Sequence, residues 1–189
     1  MVETLLLSIT AFVGTNIDDI FINTLFFTGV KTKKDSRDIV IGKYLGIGAL
    51  ILISILGASG LQFLPQQYIG CLGLVPIGLG VREAVAAFRS GNADKSEEPT
   101  QKSSNKLLNA ALITMANGAD NIGVYIPLFA GFAAWQTLLA IGVFGILIYA
   151  WCLLGRLLAN LPMVKNTLEQ YKTVVVPLVY IALGIYILL

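Results

Sequence analysis

The sequence contains no histidine, only two cysteines and few charged residues. The shortage of charge argues against a soluble domain. Charged residues make up 13% of the 189 positions, about half the share expected of a soluble domain. Hydrophobic residues make up 56%, and the mean hydropathy is +0.79. This composition indicates an integral membrane protein. No nucleophile and base pair suited to catalysis is apparent in the apolar runs, so we expect neither enzyme activity nor a resident cofactor.

The apolar runs predict an all-α fold of six transmembrane helices. About 20 apolar residues cross a bilayer, and the runs cover approximately residues 4–30, 39–64, 68–88, 107–130, 135–157 and 172–189. The first run has no basic segment before it and contains Asp18 and Asp19, so we interpret it as a span and not as a cleaved signal peptide. Cys71 and Cys152 fall in different halves and on opposite membrane sides, which predicts no disulfide between them.

The thirteen lysines and arginines cluster at alternate connections between these spans, which predicts the orientation of the chain. They lie in or beside the first, third and fifth connections, at Lys31, Lys33, Lys34, Arg37 and Lys43; at Arg82, Arg89, Lys95, Lys102 and Lys106; and at Arg156, Lys165 and Lys172. By the positive-inside rule these connections are cytoplasmic and both termini lie outside. Acidic residues are mixed among the basic ones, which favours a topological role over a nucleic-acid-binding or lipid-binding patch. We expect no nucleic-acid partner.

A hydrophilic segment, residues 91–106, divides the membrane domain into two similar halves. The segment is rich in Ser, Asn, Lys and Glu, as is typical of a solvated linker. In the first half, residues 1–90, Pro76 follows Asp18 by 58 residues; in the second, residues 107–189, Pro177 follows Asp120 by 57. A unit of three spans enters the membrane in the opposite direction the second time. We therefore predict two inverted three-helix repeats, an architecture in which secondary transporters hold substrate at the midplane.

Carboxylate and carboxamide side chains lie near the middle of the first span and of the fourth span. They are Asn16, Asp18 and Asp19 in the first and Asn117, Asp120 and Asn121 in the fourth. A charge at this depth is costly and needs a reason. Because oxygen donors of this kind suit a divalent cation, we predict that both clusters bind one metal ion. Asp18 and Asp19 lie about 100° apart around a regular helix, so both reach one ion only if the helix loosens, which Gly14 and Gly118 favour.

We expect no basic side chain at the depth of the three aspartates. Carboxylates without a basic partner at that depth hold either a cation or protons. A site with both properties supports the exchange of a metal ion for protons across the membrane. Asn23 and Thr114, in the same spans, serve equally well as hydrogen-bonding groups between helices.

Several motifs resemble those of the cadmium resistance (CadD-type) transporters of the LysE superfamily. They are the segments 117–127 (NGADNIGVYIP), 15–18 (TNID), 41–46 (IGKYLG) and 180–184 (YIALG). The resemblance implies an exporter in the bacterial plasma membrane that lowers internal cadmium. It places the family's first aspartate on Asp18 and its Gly-Ala-Asp-Asn motif on residues 118–121. Some relatives have an apolar residue where this chain has Asp19, which leaves the role of Asp19 open.

The identity of the cargo depends on this resemblance. Cadmium favours soft thiolate ligands, whereas the predicted site offers oxygen donors that also suit manganese, zinc or calcium. Two other functions stay open, namely the export of a small organic cation or basic amino acid and a passive cation channel. The expected partners are the transported ion, protons and the lipid bilayer. The sequence leaves the oligomeric state open, a homo-oligomer included.

Overall fold

The structure is a computed structural model that describes residues 1–17, 19–28, 30–61, 71–72, 74–89, 105–159 and 177–188. Every regular element in these ranges is a helix, in agreement with the predicted all-α class. The helices are α1 (Val2–Asn16), α2 (Asp19–Thr28), α3 (Lys33–Leu61), α4 (Leu74–Arg89), α5 (Lys106–Asn117), α6 (Ala119–Ala130), α7 (Ala134–Leu158) and α8 (Pro177–Leu188).

The helix lengths agree with the predicted spans only in part. α3 and α7 are each long and apolar enough to cross a membrane, and α1 with α2 forms a third candidate if this bent pair counts as one span. The predicted fourth span is divided into two helices of 12 residues, α5 and α6. α4 and α8 have 16 and 12 residues, and the rest of the predicted third and sixth spans falls largely outside the described residues. The described helices thus account for up to three of the six predicted spans.

Two helices begin with side-chain caps at the ends that carry basic residues. At the start of α3, the Asp35 carboxylate accepts hydrogen bonds from the backbone N–H groups of Lys31 (3.0 Å) and Thr32 (3.2 Å), and the Thr32 hydroxyl accepts one from the N–H of Asp35 (3.1 Å). At the start of α5, the Asn105 side chain accepts hydrogen bonds from the N–H groups of Leu107 and Leu108. Such caps satisfy N–H groups that a helix start leaves without partners.

The distribution of polar side chains is the reverse of that in a soluble protein. Large apolar side chains point outward on α1, α3 and α7, for example Leu6, Leu52 and Ile146. The interior instead holds buried polar side chains, which include Thr4, Ser8, Thr15, Asn16, Asp19, Asn23, Lys43, Ser54, Thr114 and Asn121. An apolar exterior around an interior that contains polar as well as apolar side chains is the arrangement expected in lipid, where polar groups must find partners inside the protein.

Most helix packing within the described residues joins the first half of the chain to the second. α3 lies along α5 and α6, while α7 lies along α1 and α2, and α4 contacts α6. α8 contacts the first and the last helix of the first half. Val179 lies against Gly14 of α1, and Ile181 lies against Gly80 of α4. Contacts between helices of the same half are far less extensive.

Glycines permit the closest of these approaches. A Cβ atom added to Gly46 would lie 2.9 Å from the carbonyl oxygen of Ala111 and 2.7 Å from Cβ of Thr114, and one added to Gly42 would meet the backbone of α5. Gly42, Gly46 and Gly80 therefore permit close helix packing, as small residues do in membrane helices. Gly78 has nothing within 4 Å of its added Cβ atom, so it has no such role toward the described residues.

Candidate cation site

Both polar clusters coincide with interruptions of a helix. α1 ends at Asn16 and α2 begins at Asp19, and the axes of the two helices differ by 64°. α5 ends at Asn117 and α6 begins at Ala119, with Gly118 between them at φ −86° and ψ 20°. The predicted loosening of the helix at both clusters is confirmed.

These interruptions create an environment that suits both anions and cations. The carbonyl groups at the end of a helix carry partial negative charge, and the N–H groups at the start carry partial positive charge. Asp19 and Asp120 each lie in the first turn of the helix that follows an interruption, where the helix dipole stabilises a carboxylate. The ends of α1 and α5 direct carbonyl oxygens toward the same interruptions, and oxygens of this kind bind cations in transporters with discontinuous helices.

The hydroxyl of Tyr125 joins the two clusters. It lies 2.9 Å from the Thr15 hydroxyl, and it accepts hydrogen bonds from the carboxamide nitrogens of Asn16 (3.1 Å) and Asn121 (3.2 Å). Tyr125 is fully buried, and its ring packs 4.9 Å from that of Phe144. The structure therefore brings together Asn16 and Asn121, two of the six predicted site residues from different halves of the chain.

The hydrogen bonds of Tyr125 also orient the two carboxamides. The Thr15 hydroxyl donates to the carbonyl of Ala11 (3.0 Å), so the Tyr125 hydroxyl donates its own hydrogen to Thr15 and accepts from the two asparagines. Within the described residues, no hydrogen bond engages the side-chain oxygen of Asn16 or of Asn121. These two oxygens are suitable ligands for a cation.

Asp120 has an aromatic partner from α8. The Tyr180 hydroxyl donates to the Asp120 carboxylate at 2.5 Å, and Tyr180 is buried whereas Asp120 is half-buried. A hydrogen bond from a neutral donor to a carboxylate is strongest when the carboxylate is ionised. Tyr180 therefore links α8 to the Asp120 carboxylate.

Asp19 forms a buried ion pair, which corrects one expectation from the sequence. Its carboxylate lies 3.0 Å from the ammonium group of Lys43, and the two side chains are 10% and 4% exposed. The sequence-based interpretation assigned Lys43 to a cytoplasmic flank and expected no basic partner for the aspartates. The expectation of no basic partner was wrong, because Lys43 lies inside the predicted second span and reaches Asp19 of α2 from α3. The ammonium group also lies 5.9 Å from the centre of the Phe26 ring.

Two predicted site residues remain, Asp18 and Asn117. Asp18 lies outside the described residues, and Asn117 is exposed at the end of α5. Among the described residues, no group of three or more aspartate, glutamate, cysteine or histidine side chains is close enough to hold a metal ion.

Asn23 donates to the carbonyl of Trp151 at 2.7 Å, as expected for a hydrogen-bonding group between helices. Its side-chain oxygen and the Thr114 hydroxyl are buried without a hydrogen bond to the described residues.

Three residues of this region were not predicted as site residues, namely Lys43, Tyr125 and Tyr180. Each is a polar-tipped side chain within an apolar run, and that pattern was the available signal in the sequence. Tyr180 follows Pro177 by three positions, where the first half has Leu79 after Pro76. The two halves therefore differ at this position.

Comparison with known proteins gives the family of the chain. A model of the cadmium resistance transporter family matches residues 12–189, a range that includes both polar clusters, Lys43, Tyr125 and Tyr180. No curated protein and no solved structure matches the chain. The family match covers nearly the whole sequence and agrees with the resemblance of its motifs. The chain therefore belongs to the cadmium resistance transporter family.

Proposed function

We propose that this protein exports a divalent cation, cadmium in view of its family, from the bacterial cytoplasm in exchange for protons. The observation that carries the proposal is the Tyr125 hydroxyl, which bridges polar side chains at two interrupted helices from opposite halves of the chain. Asp120, Asn121 and Asn16 bind the ion together with Asp18. Asp19 and Asn117 assist.

The donor set suits an ion that must be released. Carboxylate and carboxamide oxygens bind cadmium more weakly than thiolates do, and Cys152, a free thiol, is buried within α7. A tight thiolate site would retain cadmium, whereas an oxygen site releases it when protons compete for the carboxylates. The same donors accept other divalent ions, so the selectivity for cadmium is a separate question for measurement.

Protons replace the metal at Asp120 and Asp18. A carboxylate at membrane depth is stable when it is protonated or bound to a cation, and each state excludes the other. Protonation of Asp120 also weakens the hydrogen bond from Tyr180, because a neutral carboxyl group is a poorer acceptor. The strength of the hydrogen bond between Tyr180 and Asp120 therefore depends on whether the site holds metal or protons, which couples the position of α8 to the bound ion.

Lys43 balances the charge of Asp19 while no cargo is bound. Its ammonium group lies where a cation would otherwise neutralise that carboxylate. A tethered cation of this kind leaves fewer uncompensated charges to be carried when the empty protein returns to the cytoplasmic-facing state. Cargo that reaches Asp19 must displace Lys43, and the displaced ammonium then repels the cargo and promotes its release.

The packing supports the inverted-repeat arrangement of the six proposed spans, while the alternation of basic residues along the sequence supports the proposed location of both termini outside. The second helical element of each half, α3 or α7, lies along the interrupted helices of the other half, and the third, α4 or α8, contacts an interrupted helix of the other half. Such reciprocal contacts are expected of two repeats related by an approximate two-fold axis in the membrane plane.

A cell-based tolerance assay tests the site. Asp120→Asn and Asp18→Asn should each abolish cadmium tolerance at unchanged protein level in the membrane, because an amide neither exchanges protons nor neutralises the ion. Asp38→Asn, a change in the basic segment before the apolar part of α3, is the matched control and should retain tolerance. Full protection by either site variant would show that the site is assigned to the wrong residues.

Transport into inverted vesicles tests the exchange. Cadmium uptake should require an imposed pH gradient, acidic inside, and should cease when the gradient is collapsed. Uptake that ignores the gradient would refute proton exchange and would favour the channel alternative. Lysine or tetramethylammonium should not compete, because the ring of Tyr125 is packed against Phe144 and presents its hydroxyl, not its face, to the polar clusters.

A further inference from the structure

A cavity of about 580 Å³ lies where the basic residues of the first and fifth connections meet. It is formed by the segment before α3, the first turns of α3 and the last part of α7. Its lining residues are Val30, Lys31, Thr32, Lys33, Ser36, Arg37, Val40, Tyr149 and Arg156. The volume lies within the range of small-molecule sites, and none of these residues belongs to the candidate cation site.

The charge of this cavity is of one sign. Four of its lining side chains are cationic, and none is a carboxylate. The nearby acids Asp35 and Asp38 line a second cavity together with Lys34 and Lys106. Asp35 is further engaged by the Lys106 ammonium at 3.4 Å and by the backbone at the start of α3. These two carboxylates therefore line the second cavity and not the basic one, and the four cationic side chains would attract an anion.

The remaining lining residues indicate what kind of anion fits. The hydroxyls of Thr32 and Ser36 provide further hydrogen-bonding groups beside the basic side chains, as phosphate oxygens require. Val30, Val40 and Tyr149 form an apolar wall, and Tyr149 is 52% exposed on the outer face of α7. A basic site with an apolar wall that opens to the exterior suits an amphiphile with a phosphate head and acyl chains.

We propose that this cavity binds the phosphate group of an anionic phospholipid of the bilayer, a role that the mixing of acidic and basic residues along the sequence did not favour. Arg37 and Arg156 approach from α3 and α7, so the bound headgroup links the start of one long helix to the end of the other. The site is independent of the proposed cation exchange, since it lies apart from the aspartates of both interrupted helices.

Lipid binding to the purified protein in a zwitterionic detergent tests the proposal. Short-chain phosphatidylglycerol should bind at least tenfold more tightly than the matching phosphatidylcholine. The double variant Arg37→Gln/Arg156→Gln should lose about 25-fold in affinity for phosphatidylglycerol, because each basic side chain contributes about a fivefold attraction to an anionic lipid. Lys31→Gln/Lys33→Gln, outside the membrane-embedded parts of the helices, should reproduce this loss and guards against misfolding of the arginine variant.

A control removes the same charge elsewhere. Lys34→Gln/Arg82→Gln changes two exposed basic residues that do not line the cavity, and it should retain the preference for phosphatidylglycerol. Inorganic phosphate distinguishes the source of the ligand. If millimolar phosphate displaces the lipid and stabilises the protein alone, the site holds free phosphate by the same chemistry. The absence of any preference between the two lipids, or an equal loss in the control, would overturn the proposal.

Discussion

The buried pair of Asp19 and Lys43 gives the sharpest prediction about stability. Lys43→Met keeps the length and much of the volume of the side chain but removes its charge. Asp19 would then lose the ammonium group 3.0 Å away in a site where both side chains are at most 10% exposed. Removal of one member of a buried ion pair costs about 3–5 kcal/mol, because the other charge is left without compensation.

This cost corresponds to a large shift in thermal unfolding. For a protein of this size each kcal/mol lowers Tm by about 2–4 °C, so Lys43→Met should lower Tm by roughly 6–20 °C. Asp19→Asn should cost a similar amount, since it leaves the ammonium group alone. The double variant Asp19→Asn/Lys43→Met should recover most of the loss, because it leaves no buried charge at this position.

The matched control is the exposed pair between Lys106 and Asp35. Its atoms lie 3.4 Å apart, and its side chains are 32% and 24% exposed. An exposed pair contributes about 0–1 kcal/mol, so Lys106→Met should leave Tm within a few degrees of the parent. All variants are measured by thermal unfolding in the same detergent, with and without cadmium.

Two outcomes would refute the reasoning. If Lys43→Met unfolds at the same temperature as Lys106→Met, the pair does not have the energetic importance that its burial predicts. If the double variant is no more stable than either single variant, the two side chains do not act as a pair. The proposed role of Lys43 as a tethered cation predicts in addition that cadmium restores the stability of Lys43→Met more than that of the parent protein.

Two further predictions concern the bridge between the clusters and the packing of α3. Tyr125→Phe should weaken cadmium binding about tenfold and lower stability by about 1–3 kcal/mol, since buried donors lose their acceptor; titration calorimetry that shows unchanged affinity would contradict the role of the bridge. Gly46→Ala should lower Tm because its Cβ atom would lie 2.9 Å from the carbonyl oxygen of Ala111, whereas Gly48→Ala, with nothing within 4 Å, should raise Tm slightly through helix propensity.

Sequence reasoning succeeded where local chemistry determines structure. The interruptions of the helices were predicted from polar side chains near Gly14 and Gly118, since glycine loosens a helix and polar side chains at membrane depth need partners. The close approach at Gly42 and Gly46 also depends on local sequence, because small residues four positions apart let another helix come near. Each of these features depends on residues that are neighbours in the chain.

Sequence reasoning failed where a contact depends on which helices are adjacent in the fold. Lys43 was grouped with the basic flank because it lies near the start of the predicted second span, and its contact with Asp19 depends on how α2 packs against α3. The pairing of Tyr180 with Asp120 joins residues that are 60 positions apart, and one sequence carries no measure of which spans are adjacent. The six-span count remains a prediction, since the described helices include up to three candidate spans.

The reciprocal packing of the two halves has a consequence for biosynthesis. When the first half leaves the ribosome and enters the membrane, the helices that will cover α1, α2 and α3 have not yet been made. The ion pair of Asp19 and Lys43 joins α2 to α3 within that half, so these two charges neutralise each other before the second half arrives. Early neutralisation would stabilise the first half in the bilayer, with its aspartate and lysine at membrane depth, until the second half has been inserted.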